Sequence, residues 1–426
     1  MDYSAHGGCR SAAPFASLAI LLLLAGCSGS TESATSGIEL HQGSGSSSSS
    51  GSGSSSGSGS SSGSGSGGSV TEGYDFDLPK GFPKPKVPED NPMSAEKVEL
   101  GRRLFYDKRL SGNQTYACAS CHRQELAFTD GLAQAKGSTG QVHPRGAMSL
   151  ANVAYAAVLT WANPLVDTLE AQALLPMFGE TPVELGLTGK EDELFARLGA
   201  DALYRDLFPR AFPGEEKPIA LKTITRAIAS FERSLLSGRS AYDRYVTGED
   251  VSALDASALR GRELYFSERL ECFHCHGGFN FADSSIHEGS ELREVMFHNT
   301  GLYNIDGKGA YPPDNTGVYA VTGVSTDMGR FRAPTLRNIA VTAPYMHDGS
   351  VATLDDALDH YKAGGRTLAS GPNKGVGSES PYKSELINGF MLSSDEKADV
   401  VAFLKSLTDE AFLTDPRFAD PWAKSP

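Results

Sequence analysis

Two copies of one five-residue pattern constrain this chain more than any other feature: Cys118-Ala119-Ser120-Cys121-His122 and Cys272-Phe273-His274-Cys275-His276. Cysteines three positions apart on one turn can bond the two vinyl groups of a porphyrin, and the histidine that follows then lies under the iron as its proximal ligand. The pattern predicts two covalent haems of the c type. Zinc sites and thioredoxin-like redox pairs also use paired cysteines. Here a histidine follows each pair directly and helix-like rather than strand-like sequence precedes it, which argues against both. The chain has six cysteines, of which Cys9 and Cys27 lie near the N-terminus, so the motif cysteines are the whole supply of the body. None is left for a disulfide.

The motifs sit in an internal repeat. Leu100-Gly101-Arg102-Arg103-Leu104-Phe105-Tyr106 before the first is echoed by Arg260-Gly261-Arg262-Glu263-Leu264-Tyr265-Phe266 before the second. Each unit also closes on a helical pattern. Ile224, Ile228, Phe231 and Leu235 share a face over residues 224–236, and Val400, Val401, Phe403, Leu404 and Leu407 do so over 395–407. Ser393 or Ser394, with Glu396 or Lys397 behind it, offers a start for the latter helix. Little alternation of the strand type is present. The expected fold is mainly α: two cytochrome c-like domains, 76–250 and 251–426, each around one haem and packed against each other.

The N-terminal segment reads as an export and anchoring device. Arg10, an apolar core ending at Leu24, and the small residues Ala25 and Gly26 form a secretory signal over residues 1–26. Leu24-Ala25-Gly26-Cys27 resembles a bacterial lipobox, which implies acylation of Cys27, and Ser28 fits sorting to the outer membrane. An ordinary signal followed by a chance cysteine is the alternative. Residues 43–68 are nearly pure Gly and Ser and cannot bury enough apolar surface to fold, so 27–75 is expected to be a disordered tether. No later run is long and apolar enough for a membrane helix, so contact with the membrane is expected through lipid alone. Export also suits haem c, which is attached outside the cytoplasm. The net charge of −14 has the wrong sign for a broad phosphate-binding surface, which excludes nucleic acid as the expected partner.

Longer phrases carry a family resemblance. Phe128-Thr129-Asp130-Gly131, Ser149-Leu150-Ala151-Asn152-Val153-Ala154-Tyr155, Leu169-Glu170-Ala171-Gln172-Ala173 and Pro182-Val183-Glu184-Leu185 belong to it. So do Ala333-Pro334-Thr335-Leu336-Arg337-Asn338-Ile339 and Thr342-Ala343-Pro344-Tyr345-Met346-His347-Asp348-Gly349-Ser350. Together they resemble the bacterial di-haem cytochrome c peroxidase/MauG family, from about Pro92 to Leu407. Pro83-Lys84-Pro85, His143-Pro144-Arg145-Gly146 and Leu159-Thr160-Trp161-Ala162-Asn163-Pro164 resemble its MbnH-like branch.

The resemblance implies roles residue by residue. His122 becomes the proximal ligand of a high-spin peroxidatic haem, bound through Cys118 and Cys121, and His276 that of a low-spin haem, bound through Cys272 and Cys275. Glu184 becomes the acid/base that moves protons as the O–O bond of hydrogen peroxide breaks, with Gln172 and Pro176 in the same pocket. Trp161 matches a tryptophan between the haems. The sixth ligand of the second iron falls on Tyr361, where related peroxidases carry methionine and MauG carries tyrosine; phenolate oxygen favours oxidised iron. A helix tyrosine that merely packs is the bland alternative. For the first iron, His143 and Met148 are the available candidates, and for both a surface or core role is the expectation. An inter-domain calcium would use Thr342 and Pro344, but the family's Asn position falls on Gly146.

The expectation for function is a MauG/MbnH-like oxidase. Hydrogen peroxide generates a high-valent state shared by two irons, which oxidises a side chain of a copper-related periplasmic partner, with Trp the concrete expectation the resemblance gives. A cytochrome c peroxidase fed by a small cytochrome is the first alternative, and a non-catalytic electron-transfer dihaem protein the second.

Overall fold

The computed structural model describes residues 74–423; the leader, Cys27 and most of the tether lie outside them. Five helices position the site, and their ends follow from local chemistry. Helix α1 (Ala95–Tyr106) starts where Ser94 Oγ accepts from Lys97 N, and it turns Leu100, Leu104 and Phe105 inward. Helix α2 (Leu221–Arg233) buries Ile224, Ile228 and Phe231. It begins and ends three residues earlier than the apolar pattern suggests. Ser234 Oγ closes the last turn on Phe231 O, and Asn152 N takes the carbonyl of Leu235. Helix α3 (Ala256–Tyr265) is capped by Asp255, and α4 (Leu354–Lys362) by Thr353. Helix α5 (Ser394–Lys405) carries the capping box that the sequence announces, with Ser393 Oγ and Glu396 exchanging hydrogen bonds.

The repeat is visible as two equivalent helix pairs, α1 on α2 and α3 on α5. A glycine makes each crossing possible. A Cβ on Gly101 would lie 1.9 Å from the carbonyl oxygen of Ala227, and one on Gly261 would lie 1.9 Å from that of Asp399. Around the first pair lies a core containing Phe105, Phe128, Tyr204, Phe208 and Phe231, and around the second one containing Tyr265, Phe281, Phe403 and Leu407. The described residues are mainly helical, and their only sheet pairs Thr367–Leu368 with Gly375–Val376 in antiparallel fashion. None of their helices is long and apolar enough to cross a membrane.

A boundary near residue 250 separates the two cores but not the chain segments that serve them. The described residues form one compact unit. Phe412, Leu413 and Phe418 return to the first core, where the rings of Phe412 and Phe128 lie 5.7 Å apart. At the other end, Phe82 packs on Phe279, with ring centroids 5.2 Å apart. Polar groups close the same seam: Asp409 Oδ2 accepts from the backbone N–H groups of Gly238 and Arg239, both at 2.9 Å. Arg337 and Asp243 form a buried ion pair at 2.8 Å.

Candidate active site

Each pair of motif cysteines opens into its own cavity. Cys118, Cys121 and His122 line the first, together with Glu184, Gln172, Pro176, His143 and Glu232. Cys272, Cys275, His276 and Tyr361 line the second, with His298, Arg332 and His347. Four residues line both: Gly146, Ala147, Met148 and Trp161. They form the wall between the cavities.

The two motif histidines are prepared in the same way. His122 Nδ1 lies 2.8 Å from Phe128 O, and His276 Nδ1 lies 3.0 Å from Pro334 O. An Nδ1–H donated to a carbonyl leaves Nε2 as a bare lone pair, the tautomer that ligates metal. Left-handed backbone at Ala127 and Phe128 (φ +50° and +62°) turns the first of these carbonyls toward its histidine. Burial holds both histidines below the usual imidazole range, hence neutral.

The remaining groups fit haem better than zinc or a disulfide. All four cysteines are free, and burial pushes the thiols of Cys121 and Cys272 up to about 12. No metal-like group among the described residues holds both cysteines of a motif, and only Cys275 joins further ligands. Among the described residues the metal-like groups are Cys275 with Asp283 and His298, and Glu268 with Glu271 and His274. The second cavity also holds unpaired donors. Arg332 Nε and His347 Nε2 are buried without hydrogen-bond partners. Among the described residues the Arg332 guanidinium makes one side-chain hydrogen bond, to Met148 Sδ at 3.5 Å, and burial lowers it to about 10 against the attraction of Asp283. A buried guanidinium without an anion is costly, and a porphyrin carries two carboxylates. The cavity thus offers a cation where such a ligand brings charge.

The calcium site is poorer. Thr342 and Pro344 line the second cavity, but Gly146 brings no side-chain oxygen and its carbonyl already accepts Trp161 Nε1 at 3.0 Å. Calcium takes six to eight oxygens, which these three positions do not supply.

In the first cavity, Glu184 is fixed through its backbone. Its carbonyl accepts from Ser138 N at 2.7 Å, and Gly137 allows the approach, since a Cβ there would lie 1.8 Å from Val183 O. Desolvation raises the carboxyl of Glu184, which favours its protonated form. His143 and Met148 are not idle surface or core residues. A backbone pairing of Ala135 with His143 and Arg145 folds their loop into the site and leaves His143 Nε2 3.7 Å from Glu184 Oε1. Arg145 N donates to His143 Nδ1 at 3.3 Å, so Nε2 carries the hydrogen that faces the carboxylate. Burial keeps this imidazole neutral.

In the second cavity, Leu354, Ala357, Leu358 and Tyr361 line the space at helical spacing along α4. Burial raises the phenol of Tyr361. His298 was not legible as a site residue. Burial works against its charge, yet Asp283, 2.5 Å away, helps push it up to about 10. Arg332, His347 and Glu232 were equally hidden, because the burial of a titratable side chain has no local sequence signature.

Fold and site together give two dissimilar cavities, each lined by a Cys-x-x-Cys-His motif, that share one wall. Residues 95–251 match the family model of di-haem cytochrome c peroxidases. The chain is 35% identical to the methylamine utilization protein MauG of Methylorubrum extorquens over 345 residues, 80% of this chain and 86% of that one. It is 30% identical to the cytochrome c551 peroxidase of Pseudomonas aeruginosa over 317 residues, 74% and 80% of the two chains. A crystal structure of a MauG-like protein associated with microbial copper homeostasis is 54% identical, with a TM-score of 0.80, covering 82% of this chain and all of that one. The chain belongs to the di-haem cytochrome c peroxidase/MauG family and is a peroxide-acting oxidoreductase. Two haems c are the cofactors this family implies, and membership sets aside the non-catalytic electron carrier.

Proposed function

We propose that the first cavity reduces hydrogen peroxide, that the second stores an oxidising equivalent, and that both are spent on a side chain of a partner protein, with tryptophan the concrete candidate. The observation that carries this reading is the shared wall. Trp161 borders both cavities, while Glu184, Gln172 and Pro176 border only the first and Tyr361 only the second. Haem held by Cys118, Cys121 and His122 would supply redox-active iron to this cavity. Glu184 takes the proton of the incoming peroxide and returns it to the leaving oxygen, a role for which a raised carboxyl is suited. Gln172 and Pro176 confine the peroxide beside it. Trp161, held by its Nε1–H on Gly146 O, is the route between the cavities, and Tyr361 would offer a phenolic oxygen to a haem held in the second, a ligand type that favours oxidised iron.

The copper association of the 54%-identical relative supports a copper-related partner for this chain too. The leader and Cys27 place the enzyme at the periplasmic face of the outer membrane, held by lipid. Those residues lie outside the described ones.

His143 favours a second reading, in which its imidazole closes the first iron in the resting state and the enzyme is a reductively activated peroxidase fed by a small cytochrome. Electron paramagnetic resonance of the oxidised haem-loaded protein separates the two. One high-spin and one low-spin iron that react with one equivalent of peroxide without prior reduction support the oxidase. Two low-spin irons that stay inert until reduced support the peroxidase. Glu184→Gln should keep both haems attached and slow the peroxide reaction by about 10²–10⁴-fold, the usual weight of a positioned acid/base. An unchanged rate would remove Glu184 from the mechanism.

A further inference from the structure

The two helix crossings provide an internal control for every residue that faces a haem cavity. Since Gly101 meets Ala227 as Gly261 meets Asp399, Ile228 corresponds to Val400 and Glu232 to Leu404. Ile228 and Glu232 line the first cavity, and Val400 and Leu404 line the second. The scaffold therefore packs well with leucine at this position, and the carboxyl in the first cavity is not a requirement of the fold.

Nothing in the fold compensates that carboxyl. Glu232 is 5% exposed, and its Oε2 has no hydrogen-bond partner. The adjacent Arg233 is bound to Glu170 at 3.0 Å, and Lys97 of α1 turns to Asn91 and Pro92. The other titratable groups bordering the cavity are Tyr116, Cys118, Cys121, His122, Lys136, His143, Arg145 and Glu184. Burial, reinforced by Glu170, pushes Glu232 up to about 8, with Arg233 opposing.

We propose that Glu232 is the redox-linked proton site of the first haem: one electron added to that haem draws one proton from solvent onto the Glu232 carboxylate, and removal of the electron releases it. The coupling is electrostatic. In a cavity of low dielectric, a unit change of charge on the ring alters the proton affinity of a nearby carboxyl, and the carboxyl alters the electron affinity by the same amount. Glu232 thus acts through the haem as a tuning residue, keeping the buried centre's net charge constant while oxidising equivalents are loaded and spent. The second cavity, with Leu404, has no counterpart. The inference rests on placing a haem in the first cavity.

The test is a potentiometric titration of the haem-loaded protein from pH 6 to 9, with an external one-electron mediator and the two haems followed by their separate spectra. The first haem's midpoint should fall as pH rises, approaching about 59 mV per pH unit, the one-electron value for a tenfold change. Glu232→Gln should flatten that dependence near the wild-type low-pH value and leave the second haem unchanged. Glu232→Leu, the residue the second unit uses, should do the same, which guards against a defect peculiar to the amide. Glu184→Gln should retain the slope. A slope that survives both Glu232 variants, or disappears in Glu184→Gln instead, overturns the proposal. Absence of haem from Cys118 and Cys121, read by mass spectrometry of the peptide, overturns the cavity assignment itself.

Discussion

The glycine crossings make a prediction whose sign is diagnostic. Gly101 lies inside α1, where replacing glycine by alanine ordinarily stabilises a helix by about 0.5–1 kcal/mol. Here the new Cβ would stand 1.9 Å from Ala227 O and 2.9 Å from Phe231 Cβ. A tolerable contact needs at least 3.0 Å, so α1 and α2 must part by more than an ångström at their closest point. Overpacking of this kind costs about 1–3 kcal/mol or more, which outweighs the helix gain. Gly101→Ala should therefore lower the melting temperature of the haem-loaded protein by roughly 2–8 °C, at about 2–4 °C per kcal/mol for a larger domain. The displacement carries Ile228 and Glu232 with it, so the spectrum of the first haem should change while that of the second does not. Gly261→Ala should reverse the assignment, since its Cβ meets Asp399 O and neighbours Val400. Melting followed by calorimetry, with optical spectra of both haems, reads both effects. A Gly101→Ala protein more stable than the parent would show that helix propensity, and not the crossing, governs this position.

Two further substitutions separate packing from chemistry. Arg337→Met removes one partner of the buried Arg337–Asp243 pair and the donors to Phe279 O, leaving an uncompensated carboxylate. Denaturant unfolding should show a loss of about 3–5 kcal/mol, and a loss below 1 kcal/mol would make the pair dispensable. Tyr361→Phe keeps the packing of α4 and removes only the phenolic oxygen. On the proposed reading the second iron then loses a ligand and its low-spin resonance signal. An unaltered signal would return Tyr361 to the role of a packed helix residue.

What the sequence discloses, and what it hides, divides along the range of the interactions. The two Cys-x-x-Cys-His motifs, the helix start at Ser393, and the apolar faces of α2 and α5 depend on residues a few positions apart. Glu184, Gln172, Trp161 and Tyr361 were singled out by resemblance and not by spacing; Glu184 and Gln172 line the first cavity, Tyr361 the second and Trp161 both. By contrast, Arg332, His347 and Glu232 become interesting only when burial and missing partners are known, and those properties arise from packing across the whole body. His143 reaches the first cavity for a similar reason: the pairing of Ala135 with His143 and Arg145, which no local pattern announces, turns its loop inward. The return of Phe412 and Phe418 to the first core is equally nonlocal.

The wall between the cavities shows why the two units need one another. Gly146 N donates to His347 O at 3.0 Å, Trp161 Nε1 donates to Gly146 O at 3.0 Å, and Arg332 N donates to Trp161 O at 2.8 Å. Gly146 and Trp161 come from the first half of the chain, and Arg332 and His347 from the second. Each bond therefore either crosses between the halves or joins two residues that such a crossing fixes. The indole is held at its nitrogen and at its own backbone, which leaves little freedom for its ring to rotate out of the wall. Neither half alone could fix it, because Trp161's carbonyl would lose Arg332 and Gly146's N–H would lose His347. On the proposed reading, the contacts that join the two halves are thus the same contacts that set the path between the haems, so loosening the interface and slowing exchange between the irons are one physical event.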